Sequence, residues 1–302
     1  MATALIGWFG FGRILDATLR VGVPGFAAVC AWQMVLFAIL GLSWFVLLPP
    51  DHAWRLPIVV WGRMVRDAAG GLLPLSLVGG FVFGARAVTL HGVSWPVATA
   101  STVVDLTTEF LAQIGLVLIG VVILALRTPG ASAIMPVCLG LAAAVIAGVA
   151  FIWLQRGAAS PMLRLSRRLL GDWARDAGNQ MFSVQKVLAS IYDSPWRVAA
   201  GTLLHLLAWF GTGVASWIAF NLLGANIDFL TALGIEALLH AVLATAILVP
   251  AYAGVGALFG QPPQLALGVS LLRRARDIAL GVPILLLWQF VELQHRRPAP
   301  VE

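Results

Sequence analysis

The sequence predicts an all-α fold: a polytopic integral membrane bundle of about 6–8 spans, with two Gly/Pro-broken or re-entrant segments. Three observations carry that expectation. The 302-residue chain is 60% hydrophobic and 11% charged, against about 45–50% and about 25% for soluble domains. Its apolar runs are continuous and long enough to cross a bilayer, which excludes the short alternating segments of a β-barrel. Two carboxylates and an amide, Asp105, Glu109 and Gln113, sit within one such run at intervals of four residues. On a helix that spacing places all three on one face. An acidic residue at membrane depth costs about 2.5–3.5 kcal/mol on insertion scales, so this face is expected to meet protein, water or cargo rather than lipid.

Val23 to Leu48 forms the first clear span, closed by Pro49 and Pro50. The preceding Met1 to Arg20 is interrupted by Arg13, Asp16 and Arg20. It reads as an interfacial amphipathic helix or as the tail of a first span lacking part of its length. Asp51 to Gly70 mixes Arg55, Arg63 and Arg66 with Trp54, Ile58, Val59 and Trp61, a composition suited to a helix lying on the membrane surface. From Leu72 to Val93, Pro74, Gly79, Gly80 and Gly84 disfavour a continuous helix. Arg86 disfavours lipid contact there, so a broken segment enclosed by protein is expected.

Pro96 to Leu126 is the acidic span, and Ser132 to Leu154 an ordinary one. The region 156–197 holds Arg156, Arg164, Arg167, Arg168, Arg175, Lys186 and Arg197 against Asp172, Asp176 and Asp193. It is the expected basic cytoplasmic loop of a single membrane domain spanning 1–302. Val198 to Leu223 and Phe229 to Val249 follow as spans, the second carrying Glu236 and His240 on one face. A second Gly/Pro-broken stretch begins at Pro250. Arg273, Arg274, Arg276 and Asp277 come next, and Ile278 to Val291 completes a last span.

An internal echo accompanies this order. Gly92, Pro96 and Ser101 in one half correspond to Gly260, Pro262–Pro263 and Ser270 in the other, and Asp105 falls near Arg274. Duplicated broken helices mark mid-membrane binding sites in many transporters. The plainer reading is that Gly, Pro, Ala and Ser are frequent in membrane helices and align easily.

The net charge of +6 is spread along the ends of apolar runs, as anionic lipid and the positive-inside rule favour, and is no nucleic-acid signal. Cys30 and Cys138 read as small buried side chains, without a disulfide or zinc pattern. No phosphate-cradling, nucleophile-elbow or metal-ligand motif is present in the sequence, so neither a cofactor nor a metal is expected.

The acidic stripe needs counter-charges. Arg86 is the first candidate in sequence, and Arg273 or Arg274 the others by the repeat. Such a pair either locks helices together or clamps an anionic head group. Glu236 and His240 read as a structural hydrogen-bonded pair or as pathway lining. His91 and His205 stand alone.

The run PLSLVGGFVFGARAVTLHGVSWPVATASTVVDLTTEFLAQIG resembles the lysylphosphatidylglycerol synthase transmembrane (flippase-like) family. The shared pattern is Pro, a Gly pair, Gly-x-Arg, a Gly turn, then Asp-x-x-x-Glu-x-x-x-Gln. The ending GALFGQPPQLALGVSLLRRARDIALGVPILLLWQ is similar to the hopanoid biosynthesis-associated branch. The resemblance implies a bacterial inner-membrane protein that moves or delivers lipids. Membrane lipids (a hopanoid or an anionic phospholipid) and other lipid-biosynthesis proteins are the partners it implies. It assigns Pro74, Gly79, Gly80, Gly84, Arg86, Asp105, Glu109 and Gln113 to a first motif, and Arg273, Arg274 and Asp277 to a second. Two departures stand out: the stretch after Pro250 is shorter than the family pattern, and the N-terminus reads as lacking part of a first span. The soluble aminoacyl-transfer domain of the full synthases is not expected, since the chain stops at Glu302. A membrane scaffold for lipid enzymes and an integral lipid-modifying enzyme are the competing readings.

Overall fold

A computed structural model describes residues 11–49, 55–73, 76–127, 173–243 and 255–296, with isolated positions between 135 and 150. The principal helices are α1 (Phe11–Val46), α2 (Leu56–Leu72), α3 (Ser76–Thr89), α4 (Trp95–Arg127), α5 (Trp173–Tyr192), α6 (Pro195–Leu222), α7 (Phe229–Leu243) and α8 (Pro263–Arg296). No strand occurs among the described residues. Four of these helices are long and apolar enough to cross a membrane: Val21–Val46, Trp95–Arg127, Pro195–Leu222 and Pro263–His295. The fold is therefore the all-α polytopic membrane class that the composition indicates.

Glycine and proline set the helix boundaries. Within α1, Gly22 takes φ 64° and ψ 173°, which splits the helix just before Pro24. A proline fits the first turn of the segment that follows, because the N–H it lacks would have no partner there. Three glycines with positive φ, Gly92, Gly224 and Gly260, end helices in the same way. At each, the glycine N–H bonds back three residues and the next N–H bonds back five: Gly92 to Thr89 and Val93 to Val88, Gly224 to Asn221 and Ala225 to Phe220, Gly260 to Ala257 and Gln261 to Gly256. This paired closure uses carbonyls that the helix end would otherwise leave open. Leu73 is extended (φ −87°, ψ 141°), the conformation that a following proline imposes.

The chain divides into two compact units. One comprises Met1–Leu36, Leu111–Ile146 and Leu206–Arg276; the other comprises Phe37–Phe110, Ala147–His205 and Asp277–Glu302. In the first unit the core is built from α6, α7 and the start of α8, with Phe220, Leu238, Leu239 and Val269 sealed inside. In the second, Trp44 is buried beside Val88 and Ala98, and its Nε1–H donates to Ser101 Oγ at 3.0 Å.

Several sequence expectations need correction. Within residues 72–93 the break does not fall at Gly79, Gly80 or Gly84: α3 runs uninterrupted through all three and is closed at Gly92. The physical reason is packing. A β-carbon on Gly80 would lie 2.8 Å from the carbonyl oxygen of Arg66, and one on Gly84 would lie 3.0 Å from that of Gly62. These glycines let α3 and α2 touch backbone to backbone, the role small residues play between membrane helices. One face of α2, the helix expected at the membrane surface, is taken up by protein. It packs against α3 and buries Val59, Gly62, Arg63, Val65, Arg66, Ala68 and Ala69. The last span, expected at Ile278–Val291, is longer: α8 also carries Arg273–Asp277 in mid-helix and continues past Pro283. Pro74, Pro250, most of Ser132–Leu154 and residues 156–172 lie outside the described residues.

The echo between the halves has a local structural counterpart. Each copy presents a helix-ending glycine, Gly92 or Gly260, followed three residues later by the start of a long helix, α4 or α8. Counted from those glycines, Asp105 corresponds to Arg273 and Glu109 to Asp277.

Candidate functional site

The densest polar cluster among the described residues lies in the second unit, between α2, α4 and the start of α6. Each contributor has a simple local origin. Arg63 and Arg66 are three apart on α2, and Asp105 and Glu109 four apart on α4, so each pair shares a helix face. Gly62, Gly80 and Gly84 bring the backbone of α2 close to α3, so that the arginine-bearing face is enclosed. Arg63 Nη1 donates to Asp105 Oδ2 at 3.1 Å and to Glu109 Oε2 at 3.2 Å, while its Nη2 reaches Glu109 Oε1 at 3.1 Å. Its Nε donates to Asp67 Oδ2 at 3.1 Å. Arg66 donates through Nη1 to Asp105 and through Nη2 to Glu109, and stacks on Phe81 with its guanidinium carbon 4.0 Å from the ring centroid. His205 Nε2 lies 3.0 Å from Asp105 Oδ1.

Every carboxylate oxygen of Asp105 and Glu109 therefore has a donor. Such multiply bonded guanidinium–carboxylate sets are the arrangement that makes buried charge tolerable. Asp105 and His205 are sealed at 0% exposure, whereas Glu109 keeps 16% and Asp67 27%. The cluster thus has a closed end and an accessible end. Asp105, Glu109 and His205 offer ligand atoms within 4.8 Å of one another. Two guanidinium groups already occupy the carboxylates, and their positive charge opposes a metal ion there.

A second buried network lies in the first unit. Glu236, 1% exposed, accepts from Arg273 Nη2 at 2.8 Å and from the hydroxyl of Ser216. His240 donates from Nδ1 to the carbonyl of Glu236 at 2.8 Å, and its ring meets Trp209 edge-on at 4.4 Å. Gln113 Nε2 donates to the carbonyl of His240 at 3.2 Å. The signs are reversed between the networks. In the second unit the long helix α4 supplies the carboxylates, and in the first unit the long helix α8 supplies the arginine.

Arg86 does not meet Asp105. It forms a two-pronged pair with Glu292, Nε to Oε2 and Nη2 to Oε1, both at 3.0 Å. Arg86 lies on α3, and the α2 arginines already fill the acidic face of α4. Arg273 likewise pairs with Glu236 rather than with the acidic stripe. Arg274 is exposed and Asp277 half-buried on α8. Sequence reasoning passed over Arg63, Arg66, His205, Ser216 and Glu292. The one usable signal was the spacing of Arg63, Arg66 and Asp67 on α2.

The apolar spans agree with a comparison against protein families. The model of the lysylphosphatidylglycerol synthase TM region matches residues 1–284. The chain belongs to this family. As a member of the lysylphosphatidylglycerol synthase TM family, it is a multi-pass membrane protein related to membrane lipids. No match is found among curated proteins or solved structures.

Proposed function

We propose that this family member is a flippase-like lipid transporter of the bacterial inner membrane, tied to hopanoid lipids and lacking catalytic activity of its own. The observation that carries the reading is the Arg63/Arg66–Asp105/Glu109 cluster, closed at Asp105 and accessible at Glu109. Guanidinium groups bind phosphate as well as carboxylate in the same forked geometry. A lipid anion arriving at the accessible end would exchange with Glu109 on the two arginines. A stretch of apolar helix alone offers no such exchange. The hopanoid assignment draws on the similarity of the segment around Arg273, Arg274 and Asp277 to the hopanoid-associated branch.

The test replaces Arg66 and Asp105 singly and together, and measures hopanoid distribution between the two membranes of the host. Redistribution in stably inserted variants supports transport. An unchanged distribution in all three variants removes it.

A further inference from the structure

The second unit's network has an unbalanced charge. Arg63 and Arg66 contribute two positive charges, and Asp67, Asp105 and Glu109 three negative ones. His205, fully buried, faces Asp105 through Nε2, while its Nδ1 is buried without a hydrogen-bond partner among the described residues. Asp67 lies toward the accessible end at 27% exposure, but an uncompensated negative charge beside the sealed Asp105 is strongly unfavourable. The cheapest way to remove it is a proton on the adjacent imidazole.

We propose that His205 is the seat of an exchangeable proton. As imidazolium it holds Asp105 through Nε2–H and brings the network to zero net charge. The exchangeable proton is the one on Nδ1, the nitrogen that no described residue holds. Nε2–H stays on Asp105, and the network is left with one net negative charge. The groups facing His205 are Asp105 and Glu109 of α4, with Arg63, Arg66 and Asp67 of α2 behind them. From α5, the Tyr192 hydroxyl donates to Thr107 Oγ1 of α4 at 3.3 Å. Coupling to lipid movement rests on the transport function proposed above. When an arginine turns from a carboxylate to a lipid anion, the proton on His205 offsets part of the negative charge left behind.

Nitrogen-15 NMR of histidine-labelled, purified protein reads the site directly, since imidazolium and the two neutral tautomers give distinct signals. The chain has five histidines, and His205→Gln assigns one by subtraction. Should that variant fail to fold, replacing His52, His91, His240 and His295 leaves His205 as the single signal. Near neutral pH the wild type is expected to show His205 protonated on both nitrogens, and Asp105→Asn to convert it to a neutral ring. A neutral His205 in the wild type at that pH overturns the proposal. A second measurement follows lipid movement in phosphatidylglycerol vesicles under an imposed pH gradient. Acceleration by the gradient in the wild type, lost in His205→Gln, supports the coupling. A doubly protonated His205 in a protein that moves no lipid keeps the proton site and removes the transport reading.

Discussion

Gly84 and Arg66 meet with no room between them: a β-carbon on Gly84 would lie 2.8 Å from the Cβ of Arg66. The absence of one side chain thus fixes the place of another, whose guanidinium then reaches Asp105 and Glu109. Gly80→Ala and Gly84→Ala should each destabilise the protein by about 1–3 kcal/mol, the usual cost of overpacking. Gly79 lies on the same helix with nothing within 4 Å of a built β-carbon. Gly79→Ala should change stability by less than about 0.5 kcal/mol. Thermal unfolding of purified protein in detergent checks all three.

The Arg86–Glu292 pair predicts a specific rescue. Arg86→Glu places two carboxylates together at a site where Glu292 is 3% exposed, and expression or melting temperature should fall. Adding Glu292→Arg should restore most of the loss, because the pair is reversed rather than broken. The combination of Arg86→Asp with Asp105→Arg should restore nothing, since those residues do not meet.

Asp228 caps α7 and gives a pH-dependent prediction. Its Oδ1 accepts the Thr231 N–H at 3.0 Å, and Arg127 holds both its oxygens at 3.1 Å. The Thr231 backbone bond, foremost, lowers the carboxyl below its ordinary range, with Arg127 adding to the effect. A carboxyl lowered on folding stabilises the protein at pH values above its unfolded pKa of about 3.9. That contribution disappears as the pH falls through the folded value. Asp228→Ala should cost about 0.5–2 kcal/mol at neutral pH. Asp228→Asn should keep most of the cap and flatten the acid limb of a stability–pH curve.

The spans were legible because a bilayer leaves a one-dimensional signature, and α4 and α6 begin and end within a few residues of their apolar runs. Asp105 and Glu109 were legible as a face for the same reason of spacing. Their partners were not. Arg63 and Arg66 sit on a helix whose mixed composition suits a membrane surface equally well, and only packing against Gly80 and Gly84 turns that face inward. His205 is the one histidine of an apolar helix, and its meaning depends on Asp105, 100 residues away. Glu292 and Arg86 are 206 residues apart. Gly80 and Gly84, read as breakers, proved to be contact points, a choice that a helix propensity scale does not contain.

The account rests on Arg66 and Asp105 forming one buried unit, and a double-mutant cycle tests that most directly. Arg66→Met, Asp105→Asn and the pair together are compared by unfolding free energy in detergent. Each single change should cost about 3–5 kcal/mol, because it strands a buried charge. The double variant should lose less than the sum of the two, with an interaction energy toward the upper end of the usual ~0.5–3 kcal/mol range. Strictly additive losses would contradict the account.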